Sequence, residues 1–105
     1  MGFVMVINIS ARHFKAWPEL TEIVTATANK FLKYADGITR TEIVLDDDNG
    51  KIVEFTVYIQ DHVINAKDSS DLFDKSIHGA SNKIISQLKK VREKQSNHRN
   101  AEHRP

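Results

Sequence analysis

The sequence predicts an α+β domain, a two-layer β-α-β-β-β-α sandwich in which two helices pack on one face of a four-stranded sheet. Three observations predict it. Four short segments alternate apolar and polar residues with a period of two, as half-buried strands do. Two longer segments repeat their apolar residues at steps of three and four, as amphipathic helices do. Asp36-Gly37 and Asn49-Gly50 punctuate the chain where a helix must stop and a hairpin must turn. At 105 residues with 40% hydrophobic content, the chain has the size and composition of one globular domain.

The first strand is expected over Val4 to Ser10, with Met5, Ile7 and Ile9 on one face and Val4, Val6 and Asn8 on the other. A turn through Ala11 to Ala16 leads to the first helix. Pro18 suits a first helical position, where its missing N–H is no loss. Glu19 and Glu22 favour the positive end of the helix dipole. Leu20, Ile23, Val24, Thr27, Phe31 and Leu32 form the inner stripe of a helix that runs to about Tyr34. Trp17 has no side-chain oxygen to cap with and is expected to pack on the helix start.

Residues 39–46 form the second strand, with Thr41, Ile43 and Leu45 inward, and residues 52–59 the third, with Val53, Phe55, Val57 and Ile59 inward. Asp46 to Gly50 turns between them. A tight connection at Gln60 to His62 leads to a fourth strand over Val63 to Lys67. The second helix is expected to start near Ser69-Ser70-Asp71, where an oxygen can accept from a free backbone N–H. Its stripe is Phe73, Ile77, Ala80, Ile84, Leu88 and Val91, and its other faces hold Lys75, His78, Asn82, Lys83, Ser86, Lys89, Lys90 and Lys94. Gly79 costs about 1 kcal/mol against alanine inside a helix, which points to close packing on the sheet. The domain is therefore placed at residues 1–94. Residues 95–105 have almost no apolar content and are expected to be disordered. A helix between the first two strands implies that they pair in parallel through a right-handed crossover.

The net charge of +1 hides an asymmetry. Residues 39–61 carry six carboxylates against Arg40 and Lys51, whereas residues 70–105 carry eight lysines and arginines against four carboxylates. A basic helix end suits a polyanion, and its plain alternative is a solvated surface. The chain has no cysteine, which excludes a disulfide scaffold, a thiol nucleophile and a cysteine-based zinc site. The apolar run Phe3 to Ile7 is too short to span a bilayer and follows no basic segment, so a cytoplasmic location is expected. Asp46-Asp47-Asp48-Asn49-Gly50 puts glycine fifth and Val57 twelfth, against glycine sixth and glutamate twelfth in a calcium-binding EF-hand loop. His13, His62, His78, His98 and His103 show no ligand spacing. With no phosphate loop and no nucleophile beside a base, neither catalysis, cofactor nor metal is expected.

Several strings resemble the ribosome hibernation-promoting factors, also known as ribosome-associated inhibitor A or sigma factor modulation proteins. They are Ile7-Asn8-Ile9-Ser10-Ala11 in the first strand, Leu20-Thr21-Glu22-Ile23-Val24 with Lys30-Phe31-Leu32-Lys33-Tyr34 in the first helix, and Val53-Glu54-Phe55-Thr56-Val57 in the third strand. Ala66 with Asp71-Leu72-Phe73 leads into the last helix, and Lys83-Ile84-Ile85-Ser86-Gln87-Leu88-Lys89-Lys90 runs along it. The resemblance spans residues 4–94 and rests on the order and spacing of these strings. Ser86 stands where the family usually has arginine, the Ser69-Ser70 segment is about one residue longer than in the shortest members, and the hairpin is more acidic than in many relatives. The resemblance also implies a short form, without the C-terminal dimerisation domain of longer members.

What the resemblance implies is a translation inhibitor that occupies the mRNA and tRNA channel of the small ribosomal subunit and promotes hibernation, either by pairing ribosomes or by silencing single ones. It implies the small subunit and its rRNA as partners, no membrane, no small-molecule substrate, and a monomer when free. The RNA-binding candidates are Lys30, Lys33, Lys75, Lys83, Lys89, Lys90, Arg92 and Lys94. Lys83, Lys90 and Lys94 are expected to share one helix face, flanked by Lys75, Lys89 and Arg92. Arg12 and Lys15 are further candidates, and Trp17 and Tyr34 are less favoured as base-stacking residues than as helix-end packing. A double-stranded RNA-binding domain shares the β-β-β-α tail, but it carries lysines where this chain has Asp71 and Asp74. A protein-interaction module meeting a basic partner through the hairpin, and a small enzyme using His62 or His78, complete the alternatives.

Overall fold

A computed structural model describes residues 5–103, with side chains described to Lys94. Its elements are β1 (Val6–Arg12), α1 (Pro18–Lys30), a short 3-10 turn (Phe31–Lys33), β2 (Ile38–Asp47), β3 (Lys51–Ile59), β4 (His62–Ser70) and α2 (Phe73–His103). The α+β sandwich is as expected. The sheet order is β1-β2-β3-β4, with β1 and β2 parallel and the other pairs antiparallel. Val4 lies outside the described residues, and the expected disorder of residues 95–105 falls where no side chain is described.

The alternating strands put their greasy faces where the pattern requires. Val53, Phe55, Val57 and Ile59 of β3 are fully buried, as are Leu45 and Ile38 of β2. Phe31 meets Phe55 edge-on, with ring centroids 5.3 Å apart, and so fastens the end of α1 to the middle of the sheet. Removing such a ring typically costs about 3–5 kcal/mol. Thr41 is buried with them, and its hydroxyl donates to the Met5 sulfur at 3.1 Å.

Several boundaries differ from the sequence reading, the strand ends through pairing that propensity does not see. β1 starts at Val6 and continues to Arg12, because Ala11 and Arg12 still pair with Leu45 and Asp46. β4 runs on to Ser70 because β3 is long enough to pair Lys51 with it. α2 consequently starts at Phe73. Ser70 serves the bend before it, with its Oγ accepting from the Leu72 N–H and bonding the Ser76 hydroxyl. α1 tightens into the 3-10 turn at Phe31, and Leu32 is left exposed rather than buried. Ile23 is also exposed, on the flank towards α2, while Ala28 takes the inner place.

Left-handed backbone shapes the hairpin and the loop after β1, as it does Gly37 and Gln60. Asn49 and Gly50 close the hairpin at φ 56° and 145°, as the Asn-Gly signal requires. His13 sits at φ 66° just after β1, a conformation few side chains accept. Its Nδ1 lies 2.7 Å from Asp46 Oδ1, which ties the loop back to β2.

That bond, together with the Asp46 charge, raises the His13 pKa above its ordinary value of 6.5. A raised folded-state value stabilises the fold fully below the unfolded pKa and is lost as pH rises through the folded one. NMR titration should therefore give His13 a pKa above 6.5 in the parent, falling towards the ordinary histidine value in Asp46→Asn.

Candidate nucleic-acid interface

α2 lies over β3 and β4, and α1 lies beside it on the same face. Its stripe of Phe73, Ile77, Ala80, Ile84 and Leu88 is buried, with Ser76 and Ser81 beside it, and its charged residues face outward. All eight candidate cations are exposed. The rotation of α2 on the sheet divides them.

Lys83, Lys90 and Lys94 recur at steps of seven and four, which keeps them within about 40° on the helix. They face the β4 margin of the sheet. Lys90 and Lys94 border a shallow depression of about 440 Å³ with His62, Val63, Ile64, Gln87 and Val91. Lys83 is engaged with the strand itself. Its Nζ donates to the Lys67 carbonyl at 3.0 Å and lies 4.0 Å from Asp68 Oδ1. Gln87 Nε2 reaches the Asn65 carbonyl at 3.5 Å. β4 is the last strand of the sheet, so these two side chains donate to outward carbonyls that no further strand donates to.

The opposite flank of α2 carries a second set. Lys89 Nζ lies 5.7 Å from the Tyr34 ring centroid, within cation–π range. Lys30 and Tyr34 line a groove between the helices of about 390 Å³, together with Ile23, Thr27, His78, Asn82 and Ile85. Arg92 is seven residues on from Ile85, so it shares that flank. Lys33 is exposed on the 3-10 turn that ends α1. The expectation that Lys89 and Arg92 flank the Lys83, Lys90 and Lys94 row is thus corrected, since the helix barrel separates the two sets. Lys75 stands apart. Fourteen residues before Lys89, about 21 Å along the axis, it pairs with Asp71 at 3.2 Å. That hydrogen bond holds the Asp71 carboxyl below the usual carboxylate range.

The groove also shows what the sequence left out. His78 Nε2 and Asn82 Nδ2 lie 3.1 Å apart on its α2 wall. Their i, i+4 spacing marked a shared face, but nothing in the sequence revealed that Thr27 and Lys30 stand opposite. Tyr34 is half-buried, as helix-end packing requires, with its ring turned to Lys89. Among the described residues no three histidine or acidic side chains converge as metal ligands would. No helix there is long and apolar enough to cross a membrane.

The sequence matches the family described as sigma 54 modulation protein / S30EA ribosomal protein over residues 7–96. The chain belongs to that family. No curated protein matches it. Among solved structures, this family member is similar to a ribosomal subunit interface protein from Coxiella burnetii, at 26% identity and a TM-score of 0.72, over 84% of this chain and 98% of that one. It shares its fold with the N-terminal domain of Thermus thermophilus Protein Y, at 16% identity and a TM-score of 0.73, over 83% of this chain and 97% of that one.

Gly79 explains part of the Lys83 geometry. A Cβ there would lie 1.6 Å from Asp68 Oδ2, so the bare backbone makes room for the carboxylate that Lys83 approaches. In an Asp68→Ala background, Gly79→Ala should stabilise the fold by about 0.5–1 kcal/mol through helix propensity. In the parent, displacement of Asp68 should cancel that gain. Urea denaturation of the four proteins of this cycle measures the difference.

Proposed function

We propose that this protein binds the small ribosomal subunit through its rRNA, in the channel that mRNA and tRNA use, and so holds ribosomes in an inactive, hibernating state under stress or in stationary phase. Membership of a family described as ribosomal and likeness to a ribosomal subunit interface protein support a ribosome-associated role. The observation that carries the RNA contact is the basic half of α2, which presents exposed cations on both flanks and borders a polar groove. Cations spaced along a helix meet phosphates without reading sequence, which fits a folded rRNA surface. The proposed contacts are Lys30, Lys33, Lys89 and Arg92 on the groove side and Lys83, Lys90 and Lys94 on the β4 side, with Lys75 peripheral. A cytoplasmic location follows from the partner, and no chemical step is assigned.

Binding through a duplex RNA-binding domain's usual surface is disfavoured here. That surface needs cations where α2 begins, and Asp71 and Asp74 stand there instead.

Pelleting with small subunits should weaken steeply as salt rises, because each phosphate contact releases a counterion. Binding that stays constant from low to high salt rejects the reading. The two flanks are separable. Lys83→Gln with Lys90→Gln and Lys94→Gln tests one, and Lys30→Gln with Lys33→Gln and Lys89→Gln tests the other. Each triple variant should keep its circular dichroism spectrum, since exposed substitutions usually shift stability by only about 0.5 kcal/mol. Each should pellet less and inhibit translation less than the parent, while Lys51→Gln changes little. If both triple variants pellet like the parent, the RNA-binding surface is elsewhere.

A further inference from the structure

At the far end of α2 from the basic flanks, the two helix starts enclose a small apolar pocket. Its volume is about 220 Å³, and Trp17, Leu20, Ile23, Lys51, Leu72, Phe73 and Asp74 line it. Trp17 and Phe73 of this lining are backed by Phe14, the three rings having centroids 5.2–6.1 Å apart. Three of the six exposed large apolar side chains among the described residues gather here: Trp17 is 47% exposed, Ile23 45% and Leu72 53%. Solvated apolar groups concentrated in one concave place mark an interaction site more often than scattered ones do.

The charges around the pocket indicate what fits it. Lys51 donates to Asp47 at 2.7 Å, and Lys75 to Asp71 at 3.2 Å, so both nearby cations are already held by carboxylates. Among the described residues, Asp74 on the pocket wall and Glu19 one turn from Ile23 have no ion-pair partner. Asp48 adds a further exposed carboxylate in the hairpin, while Arg12 and Lys15, flanking the loop that carries Trp17, are cations outside the ion pairs among the described residues. A nucleic acid would be repelled from such a rim. A lysine- or arginine-rich protein segment would be attracted to it. The pocket is smaller than the roughly 300–1,000 Å³ usual for small-molecule sites, and suits one inserted side chain.

We propose that this pocket docks a basic protein segment that inserts a single apolar side chain between Trp17, Leu72 and Phe73, with its flanking cations meeting Asp74 and Glu19. The site stands independently of rRNA binding, since it lies at the other end of α2. On a ribosome its partner is a basic protein extension rather than RNA.

Trp17 is the only tryptophan and therefore reports on the pocket directly. The probe is a synthetic peptide of about a dozen residues that alternates lysine with glycine around one central leucine, titrated into the intact protein without ribosomes while Trp17 emission is followed. The peptide should change that emission saturably. Replacing its leucine by serine should weaken binding about tenfold, and replacing its lysines by glutamate should abolish it. Leu72→Ser in the protein should also weaken binding about tenfold, and circular dichroism checks its fold. Asp74→Asn, at an exposed position, is the second variant and should weaken binding several-fold at low salt. No saturable change, equal binding of the leucine and serine peptides, or a Trp17 response to oligouridylate in place of the lysine peptide overturns the proposal. None of these outcomes depends on ribosome pelleting, so this site and the ribosomal reading succeed or fail separately.

Discussion

The seating of α2 on β3 is the contact from which the rest of the surface follows. β3 is the inner strand most fully covered, with Val53, Phe55, Val57 and Ile59 at zero exposure in one core with Ile84 and Leu88, which are equally buried. This interlock fixes the helix in rotation as well as in position. Once Ile84 faces the sheet, Lys83 must fall towards β4 and Ile85 towards α1. The core therefore decides which side of the helix each charge takes, although no charged group is part of the core.

A consequence is the electrical polarity of the domain. The acidic hairpin reaches the start of α2, where Lys51 Nζ stands 5.8 Å from the Phe73 ring centroid. Lys89, Lys90, Arg92 and Lys94 lie sixteen or more residues further along, at least about 24 Å away. A net charge of +1 describes neither end. Over that distance, more than two Debye lengths at physiological salt, the two ends act as separate surfaces. The stacking of Arg40 on Tyr58, 4.2 Å from its ring centroid on the open face of the sheet, adds a partly neutralised cation that belongs to neither.

Much of the fold was legible because each strand has one dry face, and a period of two survives in the sequence wherever that is so. Val53, Phe55, Val57 and Ile59 were read directly, as was the stripe from Phe73 to Leu88. Strand ends were harder, because Ala11, Arg12, Ser69 and Ser70 are extended by their partners across the sheet rather than by their own preferences. Ile23 and Leu32 misled for a related reason. Both have helical spacing and apolar chemistry, but burial of a helix flank depends on how near the neighbouring helix stands. The candidate cations were found as a set, while their division into two flanks was not, since it depends on Lys89 reaching Tyr34 from a distant segment. The cluster of Phe14, Trp17 and Phe73 was hidden likewise, being assembled from both helix starts.

The side chains on the β4 margin have an effect beyond charge. Lys83 and Gln87 occupy the carbonyls of Lys67 and Asn65 on β4, one of the two outer strands of the sheet. Sheets polymerise when both margins are open, because each added molecule then offers a fresh one. The same lysine that adds to the basic surface thus also covers part of a sheet edge, where bare backbone would otherwise invite a foreign strand to pair.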